Sequence, residues 1–139
     1  MNSELIAIHF NKILQSQNYT LFILGSRDKQ FAIYTSPCIG QNLKTYFANE
    51  TSVRPHTHDL IHAIFNGLKI RILQIVINDV QDTLYCARLF IEQERNGTRY
   101  ILEIDARPSD CLILAIQNES PIYCTKEVFD KATPVDETF

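Results

Sequence analysis

The chain has no apolar run near eighteen residues, no Cys-x-x-Cys pair, no glycine-rich phosphate loop and no excess of positive charge. Each absence removes a class of protein. Without a long apolar run, no membrane-spanning helix is expected. Cys38, Cys86, Cys111 and Cys124 are scattered at spacings that fit none of the common zinc sites, so they are expected as reduced thiols in or near the core. No run of glycines offers successive backbone amides to a nucleotide phosphate. Thirteen Lys and Arg against sixteen Asp and Glu give a formal net charge of -3. That balance argues against a broad basic face for duplex binding, so any nucleic-acid contact has to be local. Met1-Asn2-Ser3-Glu4 lacks the basic and apolar regions of a signal peptide, and a cytoplasmic protein is the expectation. At 139 residues the chain suits one core without disulfide or metal staples. The domain is expected to cover 1–132, with a frayed tail over 133–139.

What is present is mostly strand grammar. Leu5 to Phe10 fits neither the strand nor the helix period cleanly and is assigned as a strand. Tyr19 to Leu24 and Phe31 to Tyr34 form a hairpin around a polar turn at Ser26 to Lys29. Helices are expected over Ile39 to Phe47 and Asp59 to Leu68, joined by a loop from Ala48 to Val53. Ile70 to Ile77, apolar on both faces, reads as a central strand ended by a turn at Asn78 to Asp82. Asn96-Gly97 then gives the strongest short hairpin signal, because a type I′ turn needs positive φ at both central residues. A two-residue loop there pairs Arg95 with Thr98, Phe90 with Glu103 and Arg88 with Asp105. In that register Ala87, Leu89 and Ile91 oppose Ala106, Ile104 and Leu102 on an apolar face, and Arg88 joins Glu103, Asp105 and Arg107 on the other; a one-residue slip would scramble both. A helix from Ser109 to Asn118, a short strand Pro121 to Cys124 and a short helix capped by Thr125 close the chain.

Two segments share one pattern. In Arg54-Pro55-His56-Thr57-His58-Asp59, Thr57 is the expected N-cap of a helix with Asp59 in its first turn. In Asp105-Ala106-Arg107-Pro108-Ser109-Asp110, Ser109 is the expected cap and Asp110 the early acid, placed where the helix dipole favours an anion. Together, and followed by Pro121-Ile122-Tyr123, these motifs make the chain from about Tyr19 to Ala132 resemble the bifunctional nuclease family, whose name refers to action on both DNA and RNA. The resemblance implies an α+β fold, mostly antiparallel sheet with helices after the two Arg-Pro motifs, and phosphodiester hydrolysis with low sequence specificity. It also brings out two departures. The family usually has Glu where Ile39 stands and Arg near Gln117, and both losses weaken a phosphate-gripping surface. A faint internal echo, Phe31 to Pro37 against Leu102 to Pro108 with a helix after each, raises duplication as the origin of the fold and places Ile39 in register with Asp110.

The chemistry has a functional and a structural version at every position. Glu103, Asp105 and Asp110 are the expected ligands of Mg²⁺ or Mn²⁺, with Asp59 as a further acid, since an ion would offset phosphate charge and acidify water. Asp105 can equally pair with Arg88, and Asp59 and Asp110 can serve only as helix N-terminal charges. Asp105, Asp110, His58 and Asp59 are the candidate catalytic residues, with His58 as general acid or base. Arg54, Arg107 and Arg88 are the candidate substrate anchors, because a guanidinium beside a helix N-terminus can clamp phosphate. The structural version is an Arg–Asp fork joining the motifs, Arg107 to Asp59 or Arg54 to Asp110. His58 and His62, four apart, superficially resemble a zinc-protease pair, but no third ligand follows. The competing class is a non-catalytic module that binds or assembles through an apolar face, and a homo-oligomer is the expected partner state.

Overall fold

The computed structural model describes residues 4–50 and 54–135. Its elements are β1 (Leu5–Gln15), β2 (Thr20–Gly25), β3 (Gln30–Thr35), α1 (Pro37–Phe47), α2 (Thr57–Gly67), β4 (Ile70–Gln81), β5 (Leu84–Arg95), β6 (Thr98–Ala106), α3 (Pro108–Asn118), β7 (Ile122–Thr125) and α4 (Lys126–Lys131). The fold is α+β. Among the described residues seven strands make one sheet in the order β3-β2-β1-β7-β4-β5-β6. Every pairing is antiparallel except β4 with β7. Two meanders, each followed by a Pro-started helix, thus flank β7.

Local departures from regular geometry explain where period counting was ambiguous. In β1 the pairing with β2 shifts between Phe10 and Lys12. The extra residue inverts the in-out alternation midway, which is why Leu5 to Leu14 fits no single period. β4 carries two such shifts, at Ile72/Gln74 and Ile77/Asp79. The second absorbs polar residues expected to end the strand, and β4 runs on to Gln81, which pairs with Leu84. The turn therefore falls at Asp82-Thr83 rather than over Asn78 to Asp82, with Asp82 at φ 57°.

The Asn96-Gly97 turn forms as expected, with φ of 52° and 78°. It sets Arg95 opposite Thr98, Phe90 opposite Glu103 and Arg88 opposite Asp105. The faces differ from expectation in depth only. Ala87, Leu89 and Ile91 of β5 are buried, whereas Leu102 of β6 is 57% exposed, because β6 is the last strand and nothing flanks it in the sheet.

The core gathers β2, β4, α3 and α4, with Phe22, Leu24, Ile75, Ile77, Leu112 and Val128 all at 2% exposure or less. The sheet bends so far that Phe31 of β3 stacks on Tyr85 of β5, centroids 5.6 Å apart. This brings the C-terminal ends of β3 and β6, and the two Pro-started helices after them, to one place. A close approach holds α1 there. The Gly40 N–H donates to Thr20 Oγ1 at 3.0 Å, and a Cβ on Gly40 would lie 1.8 Å from Gln15 Oε1 and 2.7 Å from Thr20 Oγ1. Of the cysteines, Cys111 and Cys124 are in the core, Cys86 is half-buried and Cys38 is exposed; all four are free thiols. Burial pushes the Cys111 thiol up to about 12 and the Cys124 thiol up to about 11. At the other end of the chain, Val135 N–H donates to Gln30 O of β3 at 2.9 Å. Residues 136–139 and part of the expected 48–53 loop lie outside the described residues.

Candidate functional site

Both motif helices start one or two residues earlier than their Thr and Ser would suggest. α2 is capped by His56, not Thr57. Asp59, in the third helical position, reaches back to accept the His56 backbone N–H at 2.8 Å, satisfying a donor ahead of the helix. α3 is capped at Arg107, not Ser109, with Pro108 in the first helical position where its missing N–H costs nothing. Ser109 is instead buried at 6% exposure. Asp110 consequently occupies in α3 the position that Asp59 holds in α2 and Ile39 in α1. Ile39, 7% exposed, packs in the core.

The motifs meet, but not through the expected Arg–Asp crosslink. Arg107 grips Asp110 of its own motif, with Nε to Oδ2 at 3.0 Å and Nη2 to Oδ1 at 3.2 Å. The link to the other motif is made by His58, whose Nε2 lies 2.9 Å from Asp110 Oδ1. The His58 side chain is 8% exposed and that of Asp110 29%. One carboxylate thus takes a guanidinium fork on one side and an imidazole on the other. Burial pushes the Asp110 carboxyl up, but the hydrogen bonds from Arg107 and His58 outweigh it and hold the group below the usual carboxylate range. The reciprocal effect raises Arg107, with Asp110 the main cause and the Cys38 thiol of α1 a further neighbour.

This cluster separates two cavities. One, about 670 Å³, is lined by Asp105, Arg107, Ser109 and Asp110 together with Tyr34 and Tyr85. The other, about 250 Å³, is lined by His56, His58 and Asp59 with Glu50, Tyr46 and Gln117. Tyr34, Tyr85, Tyr46 and Glu50 belong to no motif, and no sequence signal ties them to residues up to about seventy positions away.

The remaining candidates fall outside the cluster. Glu103 and Asp105 are turned to Arg88, at 3.3 Å and 3.5 Å, on the exposed side of β5–β6. Arg54 is exposed ahead of α2. His62 Nε2 pairs with Asn66 at 3.0 Å, away from His58. Of the residues expected to hold Mg²⁺ or Mn²⁺, Glu103 and Asp105 pair with Arg88, and Asp110 pairs with Arg107 and His58. Among the described residues no three His, Cys, Asp or Glu side chains stand as a ligand group. Gln117 meets Asp59 only through a long Nε2 contact of 3.4 Å, and its Oε1 is buried without a partner.

A bent antiparallel sheet that brings two Pro-linked helix starts onto one shared carboxylate defines a single α+β module with a composite polar site. The chain belongs to the bifunctional nuclease domain family, whose model matches residues 22–137. It is similar to two proteins of Mycobacterium tuberculosis, one from strain CDC 1551 / Oshkosh and one from strain ATCC 25618 / H37Rv, each titled an uncharacterized protein. Each is 28% identical over 125 residues, covering 87% of this chain and 71% of the relative. No helix among the described residues is long and apolar enough to cross a membrane.

Proposed function

We propose that this chain hydrolyses phosphodiester bonds in DNA or RNA at the His58–Asp110–Arg107 cluster, with little sequence preference. The observation that carries this reading is the shared Asp110 carboxylate. By accepting from His58 Nε2 it would fix the orientation and tautomer of the imidazole and leave Nδ1 to take up or give a proton, the arrangement a general acid or base needs. The fork uses two of the donors of Arg107, and its side chain is 75% exposed, so the others are open to a phosphate oxygen. Tyr34, 57% exposed on the wall of the cavity that Arg107 and Asp110 line, across Asp110 from the one that His58 lines, offers a ring face on which a base of a single strand could stack. Such contacts hold backbone and ring faces without reading base edges, which fits low specificity.

The test is cleavage of single-stranded DNA and RNA by purified wild type, His58→Ala, Asp110→Asn and Asp105→Asn, with and without Mg²⁺ or Mn²⁺. His58→Ala and Asp110→Asn should each lower the rate by roughly 10² to 10⁴, the usual worth of a positioned acid or base. Asp105→Asn should stay within a few-fold and cost at most about 1 kcal/mol of stability, as expected for an exposed ion pair. Full activity in His58→Ala, or no cleavage by wild type, would overturn the reading. Loss of metal-dependent cleavage in Asp105→Asn alone would instead restore the metal version built on Asp105. A second reading, an assembly module, rests on a separate observation, the exposed apolar edge of β6.

A further inference from the structure

β6 ends the sheet, and its outward N–H and C=O groups face no neighbouring strand. Sheet edges are normally blunted by short length, charge, proline or a bulge. The opposite edge, β3, is six residues long, and its Gln30 carbonyl is covered by Val135. β6 is neither short, nor bulged, nor broken by proline, and its charges, Arg99 against Glu103 and Asp105, are of both signs. It runs nine residues, pairs with β5 in unbroken register, contains no proline, and carries Tyr100, Ile101 and Leu102 in succession at 48%, 52% and 57% exposure. Gln93, the β5 residue opposite Tyr100, donates to the carbonyl of Leu68, the residue that follows α2 and is 55% exposed.

We propose that β6 is the joint of a twofold dimer, pairing antiparallel with β6 of a second copy about an axis at Leu102. The argument starts from the Asn96-Gly97 turn. A two-residue loop makes Arg95 and Thr98 the closing hydrogen-bonded pair, so the strand alternates from there. Arg99, Ile101, Glu103 and Asp105 therefore direct their backbone groups away from β5. Pairing about Leu102 sets Arg99 against the partner's Asp105 and Ile101 against the partner's Glu103, and every outward N–H over that span meets an outward C=O. The opposite face puts Leu102 against the partner's Leu102 and Tyr100 against the partner's Ile104. Arg99 therefore meets the partner's Asp105 at both ends of one face, in addition to their own-subunit neighbours Glu92 and Arg88, with Ile101 and Glu103 between them, while the other face stays apolar. A two-residue slip in either direction takes Arg99 or Asp105 off the end of the pairing. The match is isologous, so the same patch serves both subunits and the assembly closes at two.

The test is sedimentation velocity of the full chain over a wide concentration range, with a species of twice 16.0 kDa expected for wild type. In Ile101→Pro the lost N–H is one that β5 does not use, so the monomer should keep its circular dichroism. Two intersubunit hydrogen bonds disappear, which should raise the dimer Kd roughly 10- to 100-fold. Arg99→Asp and Asp105→Arg each place like charges opposite one another and should each be mostly monomeric. Mixed together they should recover a heterodimer, because every opposed pair is again Asp with Arg. That recovery also keeps the proposal testable should Ile101→Pro fail to fold. A wild type that is monomeric throughout, or a dimer that survives both Ile101→Pro and the single charge reversals, would overturn it. Nuclease activity plays no part in this outcome.

Discussion

Asp110 is the residue on which most of the site depends. It accepts from Arg107 and His58 at once; the bond to buried His58 is worth roughly 1.5 to 3 kcal/mol, and that to solvent-exposed Arg107 at most about 1 kcal/mol. Its carboxyl is held below the ordinary value of about 3.9. A depressed carboxyl contributes stability above its unfolded pKa and loses it as pH falls through the folded pKa. Asp110→Asn should therefore melt earlier than wild type at pH 7, by an amount equivalent to about 1 to 3 kcal/mol. The gap should hold down to about pH 5 and close below pH 4. Melting temperatures of both proteins across that range check it, and a gap that widens in acid would contradict the assignment. Gln117 offers the converse experiment. It sits against Asp59 where the family resemblance leads one to expect Arg, and leaves a buried oxygen unpartnered. Gln117→Arg should replace the long amide contact with an ion pair and remove that orphan acceptor. The expected gain is about 1 kcal/mol, a rise of a few degrees in Tm, and a lower Tm would show that the pocket cannot admit the guanidinium.

Elements were legible where one local rule dominates. The β5–β6 register followed from Asn96-Gly97 alone, since few dipeptides tolerate positive φ twice in succession. Gly97→Val, at φ 78°, should cost about 1 to 2 kcal/mol and lower Tm by several degrees; an unchanged Tm would mean that the turn does not anchor the hairpin. Helix starts were less legible. Thr57 and Ser109 are better intrinsic caps than His56 and Arg107, yet the acid three residues inside each helix captured the preceding residue instead. The bulges in β1 and β4 were invisible because an inserted residue reads, in one dimension, as a lapse in period.

For the whole molecule, composition and motif order specified the class and tertiary contact specified the site. A slightly acidic chain of 139 residues with alternating strands and two Arg-Pro helix starts already implied one mostly antiparallel α+β domain of the bifunctional nuclease kind. Those features depend on near neighbours, whose spacing the backbone geometry dictates. That His58 and Asp110, fifty-two residues apart, would share a hydrogen bond was not available from spacing. The pairing of Glu103 and Asp105 with Arg88, by contrast, did follow from the Asn96-Gly97 register. The His58–Asp110 contact follows from the packing of α2 against α3 and β4, elements that lie far apart in the chain. The same holds for the edges: nothing in Tyr100-Ile101-Leu102 says whether those side chains meet solvent or core. Only the order of strands, decided by packing over the entire chain, leaves β6 outermost.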